Sequence, residues 1–136
     1  MDLELTGKRA IVTGGSRGIG KAIARQLASE GVDVVISARG KEQLVATAAE
    51  LSRETGRRVI PVVTDTSDEK SVNALVAAAI AELGGIDILV NNAALPGGIS
   101  TATKLEQIVD AEVLQDIDIK VVGYLRTARA LAPHLI

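Results

Sequence analysis

Hydrophobic positions along the chain switch repeatedly between two spacings: short, nearly continuous β-branched runs, and longer stretches with apolar residues every three or four positions. The first run, Arg9-Ala10-Ile11-Val12-Thr13, is bounded by glycines and predicts a strand. Ile19, Ile23 and Leu27 then predict a helix over 19–30, with Gly31 at the place of a left-handed cap. Residues 32–37 predict a second strand, and Leu44, Ala48 and Leu51 a second helix from Lys41 to Thr55 that Gly56 ends. A third strand is expected over 58–64, and Pro61, which cannot donate to a ladder, predicts that it lies at a sheet edge. Ser67 is the expected cap of a third helix, with Lys70 where a capping box would hold Glu or Gln. Val72, Leu75, Val76, Ala79, Ile80 and Leu83 mark the buried face of that helix before Gly84-Gly85. A fourth strand is predicted over 86–91, a Pro/Gly-rich loop over 95–103, and helical segments from about Leu105 and from about Glu112 to the C-terminus.

Strands apolar on both faces and alternating with helices are the pattern of a parallel sheet covered on both sides. Right-handed crossovers make this an α/β fold, a Rossmann-type doubly wound parallel sheet with spatial order 3-2-1-4. Four strands fall short of the usual six, so the remaining strands would pair beside the fourth, whose edge is otherwise open.

Composition narrows the partners. The 136 residues suit one domain, 1–136, and Tyr124 is the only aromatic residue, so the core is aliphatic. A net charge of −2 with scattered Lys and Arg offers no basic stripe, which argues against nucleic acid. The absence of cysteine removes disulfides and thiolate metal ligands. Asp110, Glu112, Asp116 and Asp118 follow one another too closely along a helix to converge, so no metal is expected. No cationic leader and no apolar stretch of about 20 residues is present, so neither secretion nor membrane insertion is expected and the cytoplasm is the default location.

The candidate chemistry lies between the first strand and first helix, in Thr13-Gly14-Gly15-Ser16-Arg17-Gly18-Ile19-Gly20. Glycines at 14, 18 and 20 permit a sharp turn, close approach of backbone to a pyrophosphate and close helix packing; unpaired N–H groups and the helix dipole attract the negative charge. That spacing points to a dinucleotide. Gly15-x4-Gly20-Lys21 also admits a triphosphate loop, although Ala22 stands where Ser or Thr would hold magnesium, and a purely structural turn is the third reading. The second strand ends in Ser37-Ala38-Arg39, without the acid that usually receives the ribose hydroxyls of NAD. Arg39 and Arg17 either pair with a 2′-phosphate through charge-assisted bonds or are solvated surface charges. The expected cofactor is NADP(H) in preference to NAD(H).

With these residues the sequence resembles the short-chain dehydrogenase/reductase family, whose Thr-Gly-x-x-x-Gly-x-Gly signature is matched over 13–20 at every defined position. The family's Asn-Asn-Ala-Gly motif appears as Asn91-Asn92-Ala93-Ala94, with alanine at its last place, and the likeness runs from Leu5 to Leu135, including Arg129-Ala130 and Pro133-His134-Leu135. The resemblance implies Gly14, Ser16, Arg17, Gly18, Ile19 and Gly20 around the pyrophosphate and adenosine ribose, and Arg39 at the 2′-phosphate. It implies Asp65 and Thr66 at the adenine, and Asn91 and Ala93 on the nicotinamide side. Taken by themselves, Asn91 and Asn92 also suit an Asx turn and Asp65 a helix cap, and both roles are compatible with binding. Alignment on Gly123 and Arg129-Ala130 places Lys120 where the family has its active-site asparagine; Lys120 then supplies a cation near the nicotinamide, or the register is shifted.

In that family a serine, a tyrosine and a lysine four residues after the tyrosine polarise the substrate carbonyl and donate its proton. Tyr124 has Ala128 four residues later, so it suits packing or an interface instead, and His134 suits a helix end. No catalytic residue is assigned. The resemblance implies an NADP(H)-dependent oxidoreductase moving hydride between nicotinamide and a small carbonyl or alcohol substrate. Its catalytic segment is expected beyond Ile136, past the long C-terminal helix through which a homo-oligomer would form. Alone, the 136 residues are expected to be inactive, and the alternative is a non-catalytic dinucleotide- or partner-binding module.

Overall fold

The computed structural model describes residues 1–94 and 104–135. The chain forms β1 (Arg9–Thr13), α1 (Gly18–Ser29), β2 (Asp33–Ala38), α2 (Lys41–Thr55), β3 (Val59–Val63), α3 (Glu69–Leu83) and β4 (Ile88–Val90). A short 3₁₀ turn (Leu105–Gln107) precedes α4 (Asp110–Ile117), a π-helical turn (Asp118–Val122) and α5 (Gly123–Leu131). The four strands are parallel in the order β3-β2-β1-β4, as the alternation of elements predicts. The expected loop over 95–103 lies outside the described residues.

Period-two alternation inside β1 and β2 divides the core between the two faces of the sheet. Ala10, Val12, Val34 and Ile36 face α1 and α2, where Ala24, Ala28, Leu44 and Leu51 meet them. Ile11 and Val35 face the other way, onto Leu75, Val76, Ala79, Ile86 and Leu131. Burial on both faces is why the middle residues of these strands, 10–12 and 34–36, are all apolar. Pro61 stands opposite Ile36 on β3, an edge strand among the described residues, where its missing donor has no ladder bond to make on the open side.

Several boundaries differ from expectation for identifiable reasons. Strand β4 is three residues long because its flanks bond elsewhere. Arg9 N–H donates to the Asp87 carboxylate at 2.9 Å, and Asn92 N–H donates to the Thr13 hydroxyl at 2.9 Å. Ser67 is not the cap of α3: its hydroxyl donates to Asp65 Oδ1 at 2.6 Å, and Asp68 takes the cap by accepting from Lys70 N–H. Gly31 is left-handed as anticipated, and Gly56 and Gly84, which end α2 and α3, are left-handed as well. The long C-terminal helix is not regular, since the π-helical turn interrupts it around Lys120.

Candidate functional site

Parallel strands deliver all their following loops to one end of the sheet, and there a cleft of about 740 Å³ opens. The loop after β1 contributes Gly14, Ser16, Arg17, Gly18 and Ile19; the turn after β2 contributes Ser37, Ala38, Arg39 and Gly40. Thr64, Asp65 and Thr66 follow β3, and Asn92, Ala93 and Ala94 follow β4. Gln43 of α2 and Ile119 of the π-helical turn complete the wall. The predicted cofactor residues therefore converge here, with Gly20 and Asn91 lying behind the lining.

Each glycine of the loop has its own geometry. Gly14 and Gly18 have φ of +67° and +58°, in the left-handed region that disfavours a side chain. A Cβ on Gly18 would meet nothing within 4 Å, so the loop opens to the cleft there. At Gly20 the opposite holds: a Cβ would strike the Gly14 carbonyl oxygen and the Asn92 side-chain amide. Helix α1 thus packs directly on the turn, and its first turn carries no side-chain cap and no acid. Its orphan N–H groups and positive dipole end are left for an anion. Ile19 stands 74% exposed on the cleft wall.

The loop after β4 is tied to the glycine turn. Thr13 Oγ1 accepts from Asn92 N–H at 2.9 Å and from Ala93 N–H at 3.1 Å, while Asn92 Nδ2 donates to the Gly14 carbonyl at 3.2 Å. Tyr124, expected to be a packing or interface residue, donates its hydroxyl to the Ala93 carbonyl at 2.9 Å. Asn91 turns toward α5, where its Oδ1 accepts from the Thr127 hydroxyl at 2.6 Å.

Charge is distributed unevenly around the cleft. Arg17 and Arg39 are exposed on its wall, and among the described residues neither has an acidic partner within 4 Å. The Asp65 carboxyl is held below its ordinary range chiefly by the Ser67 hydroxyl and backbone N–H, with the charges of Arg39 and Arg126 assisting. Lys21, the would-be lysine of a triphosphate loop, is turned away and binds Glu50 at 2.6 Å, which removes that reading. Lys120 does not line the cleft either; it pairs at 3.4 Å with Asp116, which is 6% exposed. Arg126 donates to Asp118 Oδ1 at 2.7 Å and to the Thr66 carbonyl at 3.1 Å, joining the loop after β3 to the helix. Sequence spacing gave no signal for Gln43, which lines the cleft, or for Arg126 and Tyr124, which bond the carbonyls of its lining residues Thr66 and Ala93, because all three contacts arise from tertiary packing.

Residues 8–136 match the family model for short chain dehydrogenases. The chain belongs to that family. Hydroxysteroid dehydrogenase-like protein 2 of Danio rerio is 37% identical over 98% of this chain and 34% of its own length. Glucose 1-dehydrogenase 2 of Bacillus subtilis is 33% identical over 97% of this chain and 50% of its own length. Among solved structures, L-sorbose reductase from Gluconobacter frateurii, complexed with NADPH and L-sorbose, superimposes with a TM-score of 0.90 at 35% identity, covering 99% of this chain and 50% of that one. A short chain dehydrogenase from Burkholderia cenocepacia in complex with NADP gives a TM-score of 0.85 at 38% identity, covering 96% of this chain and 52% of that one. The chain thus spans about a third to about half of these relatives.

Proposed function

We propose that residues 1–136 form the NADP(H)-binding part of a short-chain dehydrogenase/reductase that moves hydride between nicotinamide and a small carbonyl or alcohol. The observation carrying this reading is the pair of arginines, Arg17 and Arg39, on the cleft wall without an acidic partner among the described residues, while β2 ends without an acid. An NAD-binding site places a carboxylate there for the ribose hydroxyls; two free guanidiniums favour a 2′-phosphate. The NADPH and NADP in the two related structures are consistent with it. In this reading the glycine loop and the N-terminus of α1 hold the pyrophosphate, Arg39 the 2′-phosphate, Asp65 and Thr66 the adenine, and Ala93 the nicotinamide side, with Asn91 positioned behind it.

The sheet would continue beyond β4, and the groups that polarise the substrate would come from outside these residues. Leu114, Val121 and Leu125, exposed at 64%, 62% and 55% along α4, the π-helical turn and α5, support association of copies through this helix. A cytoplasmic homo-oligomer is the form in which we expect it to work. The test is titration of the protein, expressed from its complete reading frame, with NADPH and NADH. Wild type should prefer NADPH by at least about tenfold, the scale of one charge-assisted pair, and Arg39→Asp should reverse or abolish that preference. An unchanged ratio in the variant would remove Arg39 from the site.

A further inference from the structure

The buried face of α2 consists of Leu44, Thr47, Ala48 and Leu51, so a single hydroxyl sits among aliphatic neighbours. Thr47 is 1% exposed, and a hydroxyl buried to that degree is costly unless it is bonded. Its proton goes to the Ser16 carbonyl oxygen at 2.6 Å, in the middle of the glycine loop. Gln43 Nε2 reaches the same carbonyl at 3.5 Å and the Thr47 hydroxyl at 3.4 Å.

A trans peptide is planar, so its C=O and the following N–H point in opposite directions. With the Ser16 oxygen drawn against α2, the Arg17 N–H faces away from α2, and no acceptor for it is present among the described residues. Rotation of that peptide would reverse the arrangement and aim a carbonyl oxygen at the place where the cleft must receive an anion. We propose that Thr47 is a positioning residue of the nucleotide site. Its hydroxyl holds the Ser16 carbonyl out of the cleft and thereby presents the Arg17 N–H to a phosphate of the cofactor. The inference rests on the dinucleotide reading above and adds to it a residue outside the loop itself.

The experiment compares Thr47→Val, which keeps the shape and removes the hydroxyl, with Thr47→Ser, which restores it, in the protein expressed from its complete reading frame. Kd for NADP⁺ and NAD⁺ is measured below the Tm of every variant. Thr47→Val should weaken NADP⁺ binding about tenfold, as expected for one hydrogen bond to a charged group, and Thr47→Ser should stay within about threefold of wild type. Equal loss of NADP⁺ and NAD⁺ places the pyrophosphate on the Arg17 N–H, whereas loss of NADP⁺ alone places the 2′-phosphate there; either supports the proposal. It is overturned if Thr47→Val binds both as wild type does, or if Val and Ser lose affinity alike, which would mark a packing role. Thr47→Ala replaces Val should the latter fail to fold. Wild-type protein that binds neither dinucleotide would instead defeat the cofactor reading itself, and the role of Thr47 with it.

Discussion

Where the strands begin, Arg9 bonds Asp87, Arg57 bonds Asp33 and Arg58 bonds Glu82, each at 3.1 Å. Where the strands end, Arg17 and Arg39 stand on the cleft wall with no such partner among the described residues. One sheet therefore uses the same residue type in two ways. At the first end a carboxylate answers each of these three arginines, and the arginine joins neighbouring elements. At the second end Arg126 is likewise answered, by Asp118, but the charges of Arg17 and Arg39 remain available, beside backbone N–H groups of the first turn of α1 that are also unanswered. The difference identifies the ligand-facing end by what is left unpaired, with no appeal to any motif.

The largest expected effect is at the second end. Gly20→Ala forces a Cβ onto the Gly14 carbonyl and should raise the Kd for NADPH at least about 100-fold, with a stability loss on the order of 1–3 kcal/mol from overpacking. Fluorescence titration and thermal melts check both, and a variant that binds normally would show that the loop does not need close helix packing.

The first end should behave oppositely. Asp87→Asn breaks the link to Arg9 and should lower the Tm by roughly 2–4 °C at neutral pH while leaving cofactor affinity alone. The Asp87 carboxyl is held below its ordinary value, first by the Arg9 side-chain hydrogen bond. Its contribution is therefore complete above the ordinary carboxylate pKa of about 3.9 and is lost as pH falls through the lower folded value. The Tm gap between wild type and variant should narrow as the pH falls below the ordinary carboxylate range, and a gap that does not change with pH would assign the loss to packing instead.

The smallest effect is expected at Lys21, which lies in the glycine-rich stretch yet bonds Glu50 on α2. Lys21→Ala should change nucleotide affinity by less than about twofold, as for other partly exposed ion pairs. A larger change would return this lysine to the phosphate site and blur the division between paired and unpaired cations.

Much of this arrangement was legible from sequence because period and glycine placement are local properties. Strand order and the edge position of Pro61 follow from them, while the placing of Asp65 and Thr66 beside the glycine loop came from the family resemblance. What was not legible depends on competition between partners. Ser67 has the chemistry of a cap but gives its proton to Asp65, so the cap moves to Asp68. Asn91 belongs to a motif but is claimed by Thr127. Lys120 aligns with a functional position, yet an acid one turn earlier, Asp116, captures it. Tyr124 carries no spacing signal at all, because its hydroxyl finds Ala93 only once α5 has docked.

The Thr13 hydroxyl, shared by two amides on the loop after β4, sets a clock on how the site comes into being. Its partners lie 79 and 80 residues downstream. At translation rates of about 5–20 residues per second, they are synthesised about 4–16 s after Thr13. For that interval the nascent chain can pair β1 with β2, but the glycine turn has nothing to fasten to on its far side. The nucleotide cleft is thus among the last features of this half of the fold to take shape, although its signature is among the first residues made.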